Sequence, residues 1–205
     1  MKPGETLPQE STIEAVKTFW EQTPCGEHWA ADIKEGTPEY FEHITRERYR
    51  WGYHLPPFLD DVARVGEQVL EIGCGMGIDA SELARRGCKV TGIDLTVRGI
   101  ELAKKNFDRL GYKGSFFLGN AECLDFADSA FDSVYSAGVL HHTPDTAKAI
   151  SEVLRVLKPG GFAFILLYSR YSLNRLVHQI LKAPYETSKT VKNGDAPVTR
   201  VYSKQ

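Results

Sequence analysis

The sequence predicts an α/β fold: a doubly wound, mostly parallel sheet preceded by a helical segment. Three observations predict it. From Val69 onward, short apolar runs alternate with amphipathic ones, the pattern that parallel strands joined by crossover helices require. The last apolar run, "FAFILLY" (162–168), has no polar alternation, which predicts a strand buried on both faces. Finally, "VLEIGCGMGIDA" (69–80) sets three glycines two apart between a strand-like and a helix-like stretch, so the chain turns sharply there.

The elements follow in order. "QVLEIG" reads as the first strand, and a helix over about 78–86 stops at Gly87, a left-handed C-terminal cap. "CKVTGID" supplies the second strand; Thr96 then caps a helix running to about Leu110 and closed by Gly111. "GSFFLGN" and "FDSVYSAGV" give the third and fourth strands. The next helix is expected to open with Thr143 as N-cap and Pro144 in its first turn, and to stop before "KPGG". Strand and helix units in this succession predict right-handed crossovers and a ligand site beyond the carboxyl ends of the strands.

Residues 1–65 read as a helical cap, with Ile13, Val16 and Trp20 on one helix face and Tyr40, Phe41 and Ile44 on another. Residues 66–168 form the core. Residues 169–205 read as an amphipathic helix, "SLNRLVHQILK", and a polar tail with Pro184, Asn193, Gly194 and Pro197.

Composition narrows the function. The 205 residues carry 25 basic and 27 acidic side chains, so no global field holds a polyanion, and nucleic acid is not expected as a partner. No stretch is apolar for long enough to insert in a membrane, and Pro3, Glu5 and Pro8 stand where a leader needs apolar residues. Cys25, Cys74, Cys88 and Cys123 lack paired spacing and have no histidine cluster beside them. Neither disulfides nor a bound metal is expected, and a reducing cytoplasm is the expected home.

Gly73, Gly75 and Gly77 sit where helix N-termini offer unpaired N–H groups, and without side chains they let backbone touch a ligand. Tight turns also use glycine for structure alone, so the neighbours decide. Asp94 closes the second strand about twenty residues on, where a carboxylate accepts from both hydroxyls of a ribose; its other reading is a helix-flanking cap beside Thr96. A dinucleotide prefers G-x-G-x-x-G and a pyrophosphate on the helix dipole, whereas the spacing here is G-x-G-x-G with Glu71 before it. That carboxylate repels pyrophosphate and suits a ligand carrying an ammonium and a sulfonium.

In this order and at these intervals, "VLEIGCGMG", "VTGIDLT", "GNAECLDF", "FDSVYSAGVLHH" and "RVLKPGGF" resemble the successive motifs of class I S-adenosylmethionine-dependent methyltransferases, the Rossmann-like small-molecule group called type 11. The resemblance spans about residues 67–168 and implies S-adenosylmethionine as cofactor and a small-molecule methyl acceptor. It implies that Glu71, Gly73, Cys74, Gly75 and Gly77 hold the methionine end, that Asp94 holds the ribose, and that Leu95 packs on adenine. Asn120, Ala121 and Glu122 match the adenine-contacting segment, although the family more often has Asp at the position of Asn120 and Pro at that of Asp125. Asn still offers an acceptor carbonyl to an adenine amino group.

Methyl transfer from a sulfonium is an in-line displacement, so the protein mainly aligns the reactants, excludes water and, where needed, removes a proton. Ser136, Val139, His141 and His142 after the fourth strand, and Tyr168 to Tyr171 after the fifth, are nearest the expected reaction chamber. His141 and His142 are the candidate general bases. The family shares this "LHH" feature among members with unlike acceptors, which favours a pocket-shaping role. Cys74 reads as a small inert residue in a crowded turn. The aromatics of "FWEQTPCGEHW" and "EYFEHITRERYRWGYHLPPF" read as cap packing before substrate contacts, and Arg46, Arg48 and Arg50, diluted by Glu42 and Glu47, as a solvated helix face.

The family sheet ends in an antiparallel hairpin that the residues after Tyr168 do not spell out. A shortened chain is therefore expected, with its fifth strand near a sheet edge and open to self-association or a partner. Two alternatives to a methyltransferase remain: a cofactor-binding module without efficient catalysis, and an NAD-dependent oxidoreductase, which the glycine spacing, Glu71 and "KPGG" disfavour.

Overall fold

The computed structural model describes residues 12–65 and 68–169, together with Val198 and Tyr202. The expected helix at 172–182 and most of the tail lie outside these residues.

Three helices come first: α1 (Ile13–Gln22), α2 (Pro38–Trp51) and α3 (Leu55–Val65), with a short 3-10 turn at Glu27–Ala30. Local chemistry starts and stops them. The hydroxyls of Thr12 and Thr37 accept from Ala15 and Tyr40 N–H groups, and Pro38 follows the second cap where a missing N–H costs nothing. The faces expected for burial are largely buried: Val16, Tyr40, Phe41 and Ile44 are closed to solvent. Tyr40, Phe41 and Ile44 pack with Ala30 against Met76, Ile78 and Leu102, which joins this helical layer to the glycine turn.

The core then alternates strand and helix: β1 (Gln68–Ile72), α4 (Ile78–Arg85), β2 (Lys89–Asp94), α5 (Val97–Leu110), β3 (Gly114–Leu118), β4 (Phe131–Ala137), α6 (Thr146–Val156) and β5 (Leu157–Leu166). The described strands form one sheet in the order β3-β2-β1-β4-β5, with every pairing parallel. This is the expected doubly wound sheet, and its strand order reverses beside β1, where crevices form. One apolar cluster lies on each face: Leu59, Val69, Leu83, Val90, Phe107 and Tyr135 on one, and Leu70, Ile72, Ile93, Val134, Leu140 and Val153 on the other. The caps of α5 are as expected: Thr96 Oγ1 accepts from Gly99 N, and Gly111 ends the helix at φ 69°.

Two local expectations need correction. Thr143 does not cap α6. Its hydroxyl donates to Leu140 O at 2.8 Å and closes a 3-10 turn at Leu140–His142, while the Asp145 carboxylate, a stronger acceptor, takes Lys148 N–H. β5 begins at Leu157, directly after α6, and includes "KPGG"; a register shift between Phe131 and Ser133 takes up the irregularity. It is half-buried along most of its length instead of enclosed on both faces, because among the described strands it stands at the end of the sheet with β4 on one side. Phe164 is its firmest anchor, stacked between Phe58 and Tyr135 at centroid distances of 4.5 and 5.2 Å.

Candidate functional site

At the carboxyl end of β1 the chain must leave a buried strand and enter α4 within a few residues. Gly73, Gly75 and Gly77 make this turn at φ 73°, 48° and 72°, a region that side-chained residues avoid. The three positions differ in what surrounds them. A Cβ on Gly73 would stand 2.4 Å from a Val139 methyl, and one on Gly77 would stand 3.1 Å from Ala103, so both glycines serve close packing. A Cβ on Gly75 would meet no atom within 4 Å. Gly75 therefore borders open space.

That space is a cleft with two walls. The sheet side supplies Glu71, Gly73, Cys74, Gly75, Asp94, Leu95, Ala121, Val139 and His142. The helical layer supplies Val16, Trp20, Cys25, Trp29, Ile44 and Arg48. Most of this lining is apolar, with carboxylates gathered at the glycine turn.

Glu71 is the least compensated of these carboxylates. It is 4% exposed, and its Oε2 has no hydrogen-bond partner. Burial, with the nearby Asp79 carboxylate, pushes Glu71 well above the usual carboxylate range; Arg48 and the Ala80 N–H act in the opposite direction. Asp94 is differently placed: Oδ2 accepts from Gly75 N at 2.8 Å, and Oδ1 accepts from Thr96 N and Oγ1. Asp94 thus flanks the start of α5 and also lines the cleft.

Not all expected site residues reach the wall. Asn120 Oδ1 accepts from Glu122 N, and Glu122 Oε1 from Asp145 N, so both side chains serve the turn beside the cleft, leaving Gly119 and Ala121 to face it. Ser136 is fully buried and donates to Ile72 O. His141 is enclosed, 3.9 Å between ring centroids from Tyr168, with both ring nitrogens unpartnered. Burial, then the neighbouring His142, lowers His141 to about 3, so the free imidazole is neutral at neutral pH. His142 does line the cleft, with Trp20 edge-on to its ring and Val198 O 2.7 Å from Nδ1. Burial of Cys74, together with Asp94 and Glu71, raises its thiol pKa, in keeping with an inert residue.

A network around Asp79 was hidden in the sequence. Asp79 lies in the first turn of α4 and is 5% exposed. Arg48 donates to it from Nη2 at 2.6 Å and from Nε at 3.3 Å, and Tyr49 and Tyr135 donate their phenolic protons at 2.8 and 3.1 Å. Burial alone would raise Asp79, but the Arg48 charge and these hydrogen bonds hold it below its ordinary value. Arg48 is thus no part of a solvated face, although Arg46 and Arg50 remain exposed. The only sequence signal was that Arg48 and Tyr49 stand beside the apolar stripe of their helix.

A family model described as a methyltransferase domain matches residues 70–165. The chain is similar to the phthiotriol/phenolphthiotriol dimycocerosates methyltransferase of Mycobacterium tuberculosis, 42% identical over 47% of this chain and 36% of the relative. It is also similar to the fatty-acid O-methyltransferase of Mycolicibacterium smegmatis, 36% identical over 65% of this chain and 48% of the relative. The crystal structure of a SAM-dependent methyltransferase from Methanosarcina mazei superposes with a TM-score of 0.54 at 32% identity, covering 60% of this chain and 62% of that one. The chain spans less than half the length of these curated relatives. Strand order, glycine turn and family match agree: residues 70–165 are similar to a methyltransferase domain built on a Rossmann-like parallel sheet.

Proposed function

We propose that this protein binds S-adenosylmethionine in the cleft between the helical layer and the sheet, and directs its methyl group to a small, largely apolar acceptor. The observation that carries this reading is the buried Glu71 carboxylate with its unpartnered Oε2, beside a glycine whose missing side chain leaves room for a ligand. A buried carboxyl group ionises only beside a counter-charge, and the ammonium of the cofactor's methionine end provides one. Glu71 and the open backbone at Gly75 therefore suit the cationic end of such a ligand.

When bound, S-adenosylmethionine supplies a sulfonium-activated methyl group. In this reading Glu71 and the backbone at Gly73 and Gly75 hold the methionine end, the remaining lone pairs of Asp94 take the ribose hydroxyls, and Leu95 and Ala121 flank the adenine. Trp20, Trp29, Ile44 and Val139 line the cleft with apolar surface that excludes water, which favours alignment over hydrolysis. The names of the relatives, with fatty acids and phthiotriol dimycocerosates as acceptors, support an apolar acceptor here. No helix among the described residues is long and apolar enough to cross a membrane. Among the described residues, Cys74 and Cys88 are buried thiols, which supports a cytoplasmic setting.

Calorimetric titration with S-adenosylhomocysteine tests the reading, with Asp94→Ala and NAD as controls. Binding by the wild type that Asp94→Ala abolishes is the expected result. Binding of NAD alone would overturn it.

A further inference from the structure

We propose that Arg48 recognises the α-carboxylate of the bound cofactor, and so is a specificity-determining residue contributed by the helical layer. The inference rests on the S-adenosylmethionine reading and deepens it. Among the described residues lining the cleft, Arg48 is the one arginine or lysine. It shares that lining with the carboxyl groups of Glu71, Asp79 and Asp94, so this guanidinium is where an anionic ligand group finds a side-chain counter-charge.

The hydrogen-bond geometry leaves Arg48 ready for a second anion. A guanidinium has five N–H donors. Asp79 takes Nε and one Nη2 proton along the side of the fork, and among the described residues no hydrogen bond engages Nη1. The two terminal nitrogens therefore still offer protons to a second carboxylate end-on. Asp79 locks the side chain in place with Tyr49 and Tyr135, so the fork is preorganised and its entropy is already spent. The side chain is 26% exposed, in contrast to 5% for Asp79. Glu71 for the ammonium and Arg48 for the carboxylate then make opposite halves of a zwitterion clamp, one from β1 and one from α2.

The test removes the carboxylate from the ligand before touching the protein. S-adenosylhomocysteine and its decarboxylated analogue, S-adenosyl-3-thiopropylamine, are titrated into the full chain. Wild type is expected to bind the analogue about 10- to 100-fold more weakly, the scale of a charge-assisted pair. In Arg48→Gln, S-adenosylhomocysteine should fall toward the analogue while the analogue changes little, closing the gap; Tyr49→Phe, which loosens the lock but keeps the guanidinium, should preserve it. Equal affinities of the two ligands for wild type would overturn the proposal even if Arg48→Gln failed to fold. So would an Arg48→Gln variant that weakens both ligands equally, because Arg48 would then only fasten α2. A wild type that binds neither ligand would instead overturn the cofactor reading on which the proposal stands.

Discussion

Gly73 and Gly75 show how residues two positions apart in one turn serve different ends. A methyl on Gly73 collides with Val139, whereas a methyl on Gly75 points into the cleft. Gly73→Ala is expected to destabilise the fold by about 2–4 kcal/mol through overpacking and left-handed strain. Gly75→Ala should cost only about 1–2 kcal/mol yet weaken S-adenosylhomocysteine at least tenfold; denaturant midpoints and titrations on both variants separate the two effects. Glu71 gives a pH signature. Its folded pKa is raised, so the free protein holds a proton there above the ordinary carboxylate range, and a cationic ligand expels it. Affinity should therefore rise with pH across that window, and the binding enthalpy should vary with the ionisation enthalpy of the buffer. Glu71→Gln should remove that dependence. The glycines and Asp94 were legible because their roles are backbone roles fixed by spacing. Asp79 was not, since its partners lie 30, 31 and 56 residues away in sequence and only the folded chain brings them together.

The elements show the same division between local and distant causes. Helix α5 was readable at both ends because Thr96 and Gly111 act within a few residues of themselves. The start of α6 was misread because Thr143 and Asp145 compete for one cap, and the choice depends on the turn at Leu140 that takes the threonine hydroxyl. The N-terminus of α5 holds a feature no local pattern announces. Glu21, near the end of α1, accepts from Val97 N and Arg98 N with its two oxygens at 2.8 and 2.9 Å. A carboxylate there satisfies unpaired N–H groups and complements the helix dipole. Glu21→Ala is expected to cost about 1 kcal/mol, read by chemical denaturation. Arg98, whose guanidinium holds Glu27 and Glu35, ties the same two layers together beside it.

At the scale of the molecule, the cleft exists only because two layers meet. A ligand that touches both walls must therefore couple them. Saturating S-adenosylhomocysteine, at a hundred times its dissociation constant, should stabilise the protein by about 2.7 kcal/mol. Hydrogen exchange should slow in α1 and α2 as well as in the glycine turn; protection confined to the turn would show that the helical layer takes no part. The fold class was legible because alternation of strand and helix repeats along the core. The helical layer was legible as helices, but its role as the second wall was not, because an aromatic such as Trp20 or Trp29 carries the same pattern whether it packs inward or faces a ligand.

The central place of β1 also bears on how the chain is made. Val69 pairs with Val90 on one side, soon after it in the chain, but with Ser133 on the other, 64 residues later. At a synthesis rate of 5–20 residues per second, the second edge of β1 waits roughly 3–13 s for its neighbour. Throughout that interval the stretch from Val69 to Ile72, apolar except for Glu71, presents an open ladder of N–H and C=O groups, the kind of edge that recruits other chains. A nascent chain halted near residue 125 should accordingly aggregate or remain bound to a chaperone, and one extended through Leu166 should be released. The central strand that places Glu71 at the floor of the cleft is thus also the strand most exposed to misassembly during translation.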